Sequence, residues 1–280
     1  MSSIGPFQEP SSQREPGPRA AVGAGRVLVV ALLGIGLVAC GGRGDNPSRS
    51  AAPPSAGGIP AHPTEAFDLA GWKLSIPETN SKGDAASIQP ATTRAPWLSE
   101  GPDGGLDFWA PTQGATTKNS THPRTELQSL TTFDAGTAPH TLSASLTLTQ
   151  LPRDGRGIIV GQIHGADDIS SVPYVMLRVQ DNALRVVVKQ VQDGDAHIDY
   201  PLLDGVGLNS SIDYTITDRG DGTMTFAATG NGVTRQAEAP VPAAFRGATV
   251  RFQAGDYQQA DASAGPQDGG RVVFHRLTQQ

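Results

Sequence analysis

Cysteine is nearly absent: Cys40 is the single one in 280 residues, so no intrachain disulfide can form and the fold must stand on its packed core. Charge is sparse at 17%, and the net −6 is spread without runs, which removes nucleic acid and an anionic membrane surface from the obvious partners. An acidic ligand therefore needs a local cationic cleft. Long apolar runs are missing as well. The most apolar stretch, residues 27–39, falls short of the ~20 residues that a bilayer-spanning helix requires. Blocks of Ala, Leu, Glu and Lys that build amphipathic helices are scarce beyond residue 62, where Thr, Val, Gly, Pro and Asp prevail.

What is present divides the chain in three. Residues 1–39 place Arg14, Arg19 and Arg26 ahead of the apolar block, the layout of a cleaved export signal. The block ends in Leu37-Val38-Ala39-Cys40, which resembles the bacterial lipobox, where cleavage precedes a Cys that becomes lipidated. The expectation is an exported protein held at the cell envelope by a lipid on Cys40; the bland alternative is a secretory peptide that happens to carry a cysteine. Residues 40–62 are Gly, Pro, Ser and Ala with few large apolar side chains, too few to repay the entropy of ordering, and read as a tether. Residues 63–280 suit one all-β domain, expected to be monomeric.

Within that domain apolar and polar residues alternate with period two. In 141–149, Leu142, Ala144, Leu146 and Leu148 alternate with Ser and Thr, which gives a strand with one dry and one wet face. Further strands are predicted over 157–164, 174–180, 184–190, 212–217, 224–228, 249–255 and 271–277. Arg153-Asp154-Gly155, Gln180-Asp181-Asn182, Asp193-Gly194-Asp195 and Arg219-Gly220-Asp221-Gly222 supply turns. Such spacing predicts an antiparallel two-sheet β-sandwich of the jelly-roll, concanavalin-like kind with a concave substrate groove.

Three segments are polar where a plain sandwich strand has no need to be. Arg124, Glu126 and Gln128 share one strand face, Gln162 and His164 share another with Ile163 turned to the core, and Arg251, Gln253, Tyr257 and Gln259 share a third. Side by side, they would floor a saccharide groove with Arg, Gln, His and Tyr. Taken singly, each has a structural explanation. Arg124 and Glu126 fit a surface ion pair, His164 a core histidine, Tyr257 and Phe252 packing aromatics, and Gly255 a bulge. His197, His275, Trp97 and Trp109 have no comparable context.

At these residues the chain resembles polysaccharide lyase family 7, the alginate lyases built on a β-jelly roll. The family's R-[ST]-E-L-R, Q-[IV]-H and Y-F-K-A-G-x-Y-x-Q motifs appear in order as Arg124-Thr125-Glu126-Leu127-Gln128, Gln162-Ile163-His164 and the segment from Arg251 to Gln259. Trp72-Lys73-Leu74-Ser75-Ile76-Pro77 is similar to the family's opening strand, and Asn119-Ser120 precedes the Arg segment. The resemblance implies a lyase that opens 4-O-linked uronic acid polymers by β-elimination, with Arg124, Gln162, His164 and Tyr257 catalytic. Arg124, Gln162 and His164 would stabilise charge on the substrate carboxylate. Tyr257 would protonate the departing O4, and either Tyr257 or His164 would take the C5 proton. Lys118, Asn119, Glu126, Gln128, Arg251, Gln253 and Gln259 are the expected substrate-binding residues, and Arg178 and Lys189 are within possible reach. The scheme implies no cofactor and no metal, and no H-x-x-x-H spacing occurs.

The chain departs from the family at Gln128 and Gln253, which stand where the family has Arg and Lys; Arg251 stands in place of a Tyr. A cation has moved along the strand, or two have been lost. Within the family, Gln-Ile-His leans toward guluronate-containing stretches. The departures keep open a lyase of another polyuronate, such as glucuronan, and a non-catalytic glycan-binding sandwich.

Overall fold

A computed structural model describes residues 67–280. The expected export signal, Cys40 and the expected tether lie outside the described residues. In chain order the strands are β1 (Trp72–Thr79), β2 (Ala85–Ile88), β3 (Leu98–Glu100), β4 (Leu106–Pro111), β5 (Arg124–Ser129), β6 (Phe133–Asp134), β7 (Pro139–Gln150) and β8 (Ile158–Gly165). They continue as β9 (Pro173–Gln180), β10 (Ala183–Lys189), β11 (His197–Asp204), β12 (Ser211–Arg219), β13 (Thr223–Gly230), β14 (Val233–Pro240), β15 (Thr249–Gln258) and β16 (Gly269–Gln279). Among the described residues the only helical segments are two short 3₁₀ turns, Pro102–Gly104 and Asp167–Ile169.

The strands form two antiparallel sheets, the jelly-roll sandwich that the alternation predicts. One runs β11-β10-β9-β8-β15-β5-β1-β2, with β6 beside β15, and the other runs β14-β13-β12-β7-β16-β4-β3. Alternation explains the layering directly. In β12, Ile212, Tyr214 and Ile216 are buried while Asp213, Thr215 and Thr217 lie on the wetter face, and β13 repeats the pattern with Met224, Phe226 and Ala228 inside. The first sheet contributes Leu74, Ile76, Leu127, Ile163 and Phe252 to the shared core, and the second Phe108, Leu146, Phe226 and Phe274. Burying such side chains stabilises the fold by about 1.5–3 kcal/mol each.

The turns form where Gly, Asn and Asp had marked them. Asp181 and Asn182 both take positive φ, 53° and 57°, in the two-residue hairpin between β9 and β10, and Gly155, Gly194, Gly220 and Gly222 are also left-handed. The sequence signal missed β2, β3, β4, β6, β11 and β14. β11 falls inside residues 192–211, a segment long enough to be read as a loop. It and β14 are edge strands whose side chains are mostly exposed, so no dry face imposes an alternation.

Candidate active site

The outward face of the first sheet carries the polar segments, and the strand register sets them in rows. One row crosses seven strands as Lys73, Gln128, Gln253, Gln162, Met176, Val187 and Asp199, each paired with the next. A second runs Arg124, Tyr257, Ile159, Arg178 and Arg185. His164 pairs with Arg251 beside the first row. The three segments, separate in sequence, thus meet because β5, β15 and β8 are neighbours.

Above them lies a pocket of about 330 Å³ whose lining includes Lys73, Lys118, Asn119, Arg124, Gln128, His164, Arg251, Gln253 and Tyr257. The Arg124 guanidinium lies over the Tyr257 ring, 3.6 Å from its centroid. Its Nη1 donates to Glu126 Oε2 at 3.0 Å, while its Nε, shielded from solvent, has no partner within the protein. The Tyr257 hydroxyl and the Ser120 hydroxyl are 2.9 Å apart, and Ser120 is itself fixed by a bond from its Oγ to the His122 carbonyl and one from the His122 amide to its Oγ. The phenol is therefore held from two sides, by a cation on its ring and a hydroxyl at its oxygen.

His164 Nδ1 lies 3.0 Å from the Gly165 carbonyl. A carbonyl only accepts, so Nδ1 carries the hydrogen and Nε2 keeps its lone pair. Burial, with the nearby charges of Arg124 and Arg251, pushes the imidazole pKa down to about 4 against the one opposing bond to Gly165. His164 is a neutral ring with a free basic nitrogen at ordinary pH.

Two expected site residues sit below the floor rather than on it. Glu126 was expected to bind substrate, but it has no exposed surface: it faces Arg124 and accepts a hydrogen bond from Gln162 Nε2. Burial raises its pKa, with Arg124 and Gln162 opposing. Gln162 also has no exposed surface, and its second amide hydrogen goes to Gln253 Oε1 at 3.4 Å. Gln253 lines the pocket, so the Gln162 amide reaches it through Gln253. Gln259 stands further along the groove, its amide on the Tyr257 and Gln258 carbonyls.

Two residues at the site, Lys73 in the pocket lining and Ser120 at the Tyr257 hydroxyl, were given no role by the sequence reading. Lys73 lines the pocket, and burial followed by the charge of Arg251 lowers its pKa. The signal was there, since Lys73 alternates between the core residues Trp72 and Leu74 and had to face outward. Ser120 lies in a loop with no periodicity to read.

A second layer braces the site from the opposite sheet. Thr125 Oγ1 donates to the Trp109 carbonyl at 2.6 Å, and the Ala110 amide donates to Asp256 Oδ2 at 3.1 Å. Asp256 is fully buried, and burial, reinforced by Glu126 and Asp107, pushes its pKa well above the ordinary carboxylate value. Among the described residues, no three His, Cys, Asp or Glu side chains cluster as a metal site.

Fold and site together define a class: a jelly-roll sandwich bearing a cationic, tyrosine-centred groove on one sheet. The alginate lyase family model matches residues 67–280, the whole described region, and the chain belongs to that family. It is 31% identical over 155 residues to an alginate lyase of Klebsiella pneumoniae, an alignment covering 41% of this chain; the chain spans about half the length, 50%, of that curated relative. Among solved structures it is similar to alginate lyase A1-II′, a member of polysaccharide lyase family 7, with TM-score 0.65 and 29% identity over 76% of this chain and 96% of that one. It is also similar to an alginate lyase from Pseudomonas aeruginosa, with TM-score 0.65 and 28% identity over 76% and 99%. A1-II′ has been solved as a Tyr-to-Phe variant in complex with product (GGG) and as a double variant in complex with substrate (GGMG).

Proposed function

We propose that this protein is a lyase that cleaves alginate by β-elimination, releasing unsaturated oligosaccharides. The carrying observation is the Arg124 guanidinium stacked 3.6 Å over the Tyr257 ring in the wall of a pocket that also holds a neutral His164. The substrate carboxylate meets the Arg124 guanidinium where it lines the pocket, with the Gln253 amide beside it. These donors withdraw charge from the carboxylate and lower the barrier to removing the adjacent C5 proton. A base takes that proton, the C5–H electron pair becomes the C4–C5 double bond, and the C4–O4 bond breaks. O4 leaves with a proton from the Tyr257 hydroxyl. His164 Nε2 is the base when the C5 hydrogen points to it; for the C5 epimer, whose hydrogen lies on the other side, Tyr257 enters as its phenolate, takes the C5 proton and passes that proton to O4.

Glu126 and Gln162 act as positioning residues, anchoring Arg124 and Gln253 from below. Lys73 and Arg251 restore cationic character that Gln128 and Gln253 do not provide, which keeps the groove suited to a polyanion. We assign guluronate-containing stretches as the preferred substrate, on the Gln162-Ile163-His164 sequence, and a lipid on Cys40 as the anchor of an exported enzyme. The experiment is to offer protein lacking residues 1–40 polymannuronate, polyguluronate and glucuronan while following the ultraviolet absorbance of the new double bond. Absorbance should rise fastest with polyguluronate. A rise with glucuronan alone would shift the substrate class, and no rise with any polymer would end the enzyme reading.

A further inference from the structure

The row that holds Arg124 and Tyr257 does not stop at the pocket. It continues through Ile159 to Arg178 on β9 and Arg185 on β10, in register on neighbouring strands. Strands lie about 4.8 Å apart, so Arg178 stands about 10 Å along the sheet from the Tyr257 position. Here a second cavity of about 280 Å³ opens, sharing Pro173 with the first and lined by both apolar and cationic side chains.

Its charges are unevenly matched. Arg185 is 3.4 Å from Asp199 and 3.8 Å from Asp181, and His197 is 3.8 Å from Asp199. Asp195 also lines the cavity. Arg178 and Lys189 have no carboxylate within ion-pairing distance among the described residues. Arg178 Nη2 donates to the Arg156 carbonyl at 2.8 Å, and its Nε is buried without a partner. Burial and then the adjacent Arg185 and Arg156 guanidiniums lower its pKa, with Asp199 and Asp181 only partly offsetting them. A half-buried, orientationally fixed guanidinium crowded by like charge is stabilised when an anion arrives. Beside it, Ile159, Met176 and Val187 form an apolar floor, which suits the C–H face of a sugar ring. A simple anion would use only the cations.

We infer that this cavity is a distal subsite that holds a uronate residue of the polymer a few sugars from the bond being cut, its ring on Met176 and Val187 and its carboxylate on Arg178. This rests on the polyuronate reading of the groove, and it makes the enzyme favour chains long enough to reach Arg178. The test compares wild type, Arg178→Ala and Arg185→Ala on a disaccharide, which puts one sugar on each side of the bond and stops short of Arg178, and on a long oligouronate. Both variants should raise KM for the long oligomer, Arg178→Ala by tenfold or more, with kcat and the short-substrate kinetics unchanged and with a weaker salt dependence of KM. An unchanged KM for the long oligomer, or equal losses on short and long, would overturn the subsite. Calorimetric titration of the long oligomer into Tyr257→Phe protein, with and without Arg178→Ala, reads the same contact without turnover. If wild type makes no double bond yet this titration shows the Arg178 dependence, the lyase reading fails and the subsite stands; equal affinities in the two titrations dispose of the subsite alone.

Discussion

Glu126 touches nothing that enters the groove, yet it determines where Arg124 points. Removing one member of a buried, hydrogen-bonded pair leaves the other charge uncompensated, which costs about 3–5 kcal/mol. Glu126→Ala is therefore expected to lower the unfolding free energy by that order in urea titration, and to lose turnover through a misplaced guanidinium. His164 makes a pH prediction. Its folded pKa of about 4 lies below the ordinary 6.5, so between those values the unfolded chain takes up a proton that the fold refuses. Stability attributable to His164 falls as pH drops from 6.5 to 4, by about 3 kcal/mol at most. Glu126 and Asp256 run the other way: their raised pKa values mean stability is fullest below the unfolded carboxylate pKa and is lost as pH rises through the folded one. Urea titrations at stepped pH should show a shallower acid-side slope for His164→Asn and a shallower rise-side loss for Asp256→Asn. At this scale the sequence was informative about identity but not depth. Alternation put Arg124, Glu126 and Gln128 on one face, but only packing distinguishes Gln128, which lines the pocket, from Glu126, which is sealed beneath it.

β15 is the element on which the site depends. It pairs with β5 without interruption from Gln253 to Tyr257, while its ladder with β8 shifts register between Ala254 and Tyr257. Gly255 sits in that stretch with φ 148°, and a Cβ there would lie 2.5 Å from the Thr125 carbonyl oxygen and 2.9 Å from Glu126 Cα. Gly255→Ala is expected to cost about 1–3 kcal/mol and to displace Tyr257, cutting kcat far more than a surface substitution of equal stability cost. Opposite the shift, the Tyr214 hydroxyl crosses from the other sheet to the Val160 carbonyl at 3.0 Å. Gly255 was recognisable from sequence as a bulge or bend. The contribution of Tyr214 was not, because an alternating aromatic in β12 looks like any other core residue until the two sheets are stacked. β11 and β14 were unreadable for the opposite reason: exposed on an edge, they carry no dry face.

For the molecule as a whole, two sheets without a disulfide give a rigid floor, and the substrate-facing charges are distributed along rows that cross it. Single-residue alternation predicted the jelly roll and put the polar residues of each motif on one face, leaving their meeting conditional on the strands being neighbours. It gave no account of how far the groove extends past Tyr257, because that depends on which strands become neighbours. The proposed envelope anchor belongs to this scale too: Cys40→Ala should move the protein from the membrane to the soluble fraction, and unchanged membrane fractionation would count against lipidation. The central claim, that Arg124 and Tyr257 perform an elimination, is tested most directly by Tyr257→Phe. With alginate as substrate and double-bond absorbance as readout, wild type should turn over while Tyr257→Phe, folded and still binding the polymer, falls by about 10²–10⁴-fold or more. A Tyr257→Phe protein with undiminished rate would contradict the account.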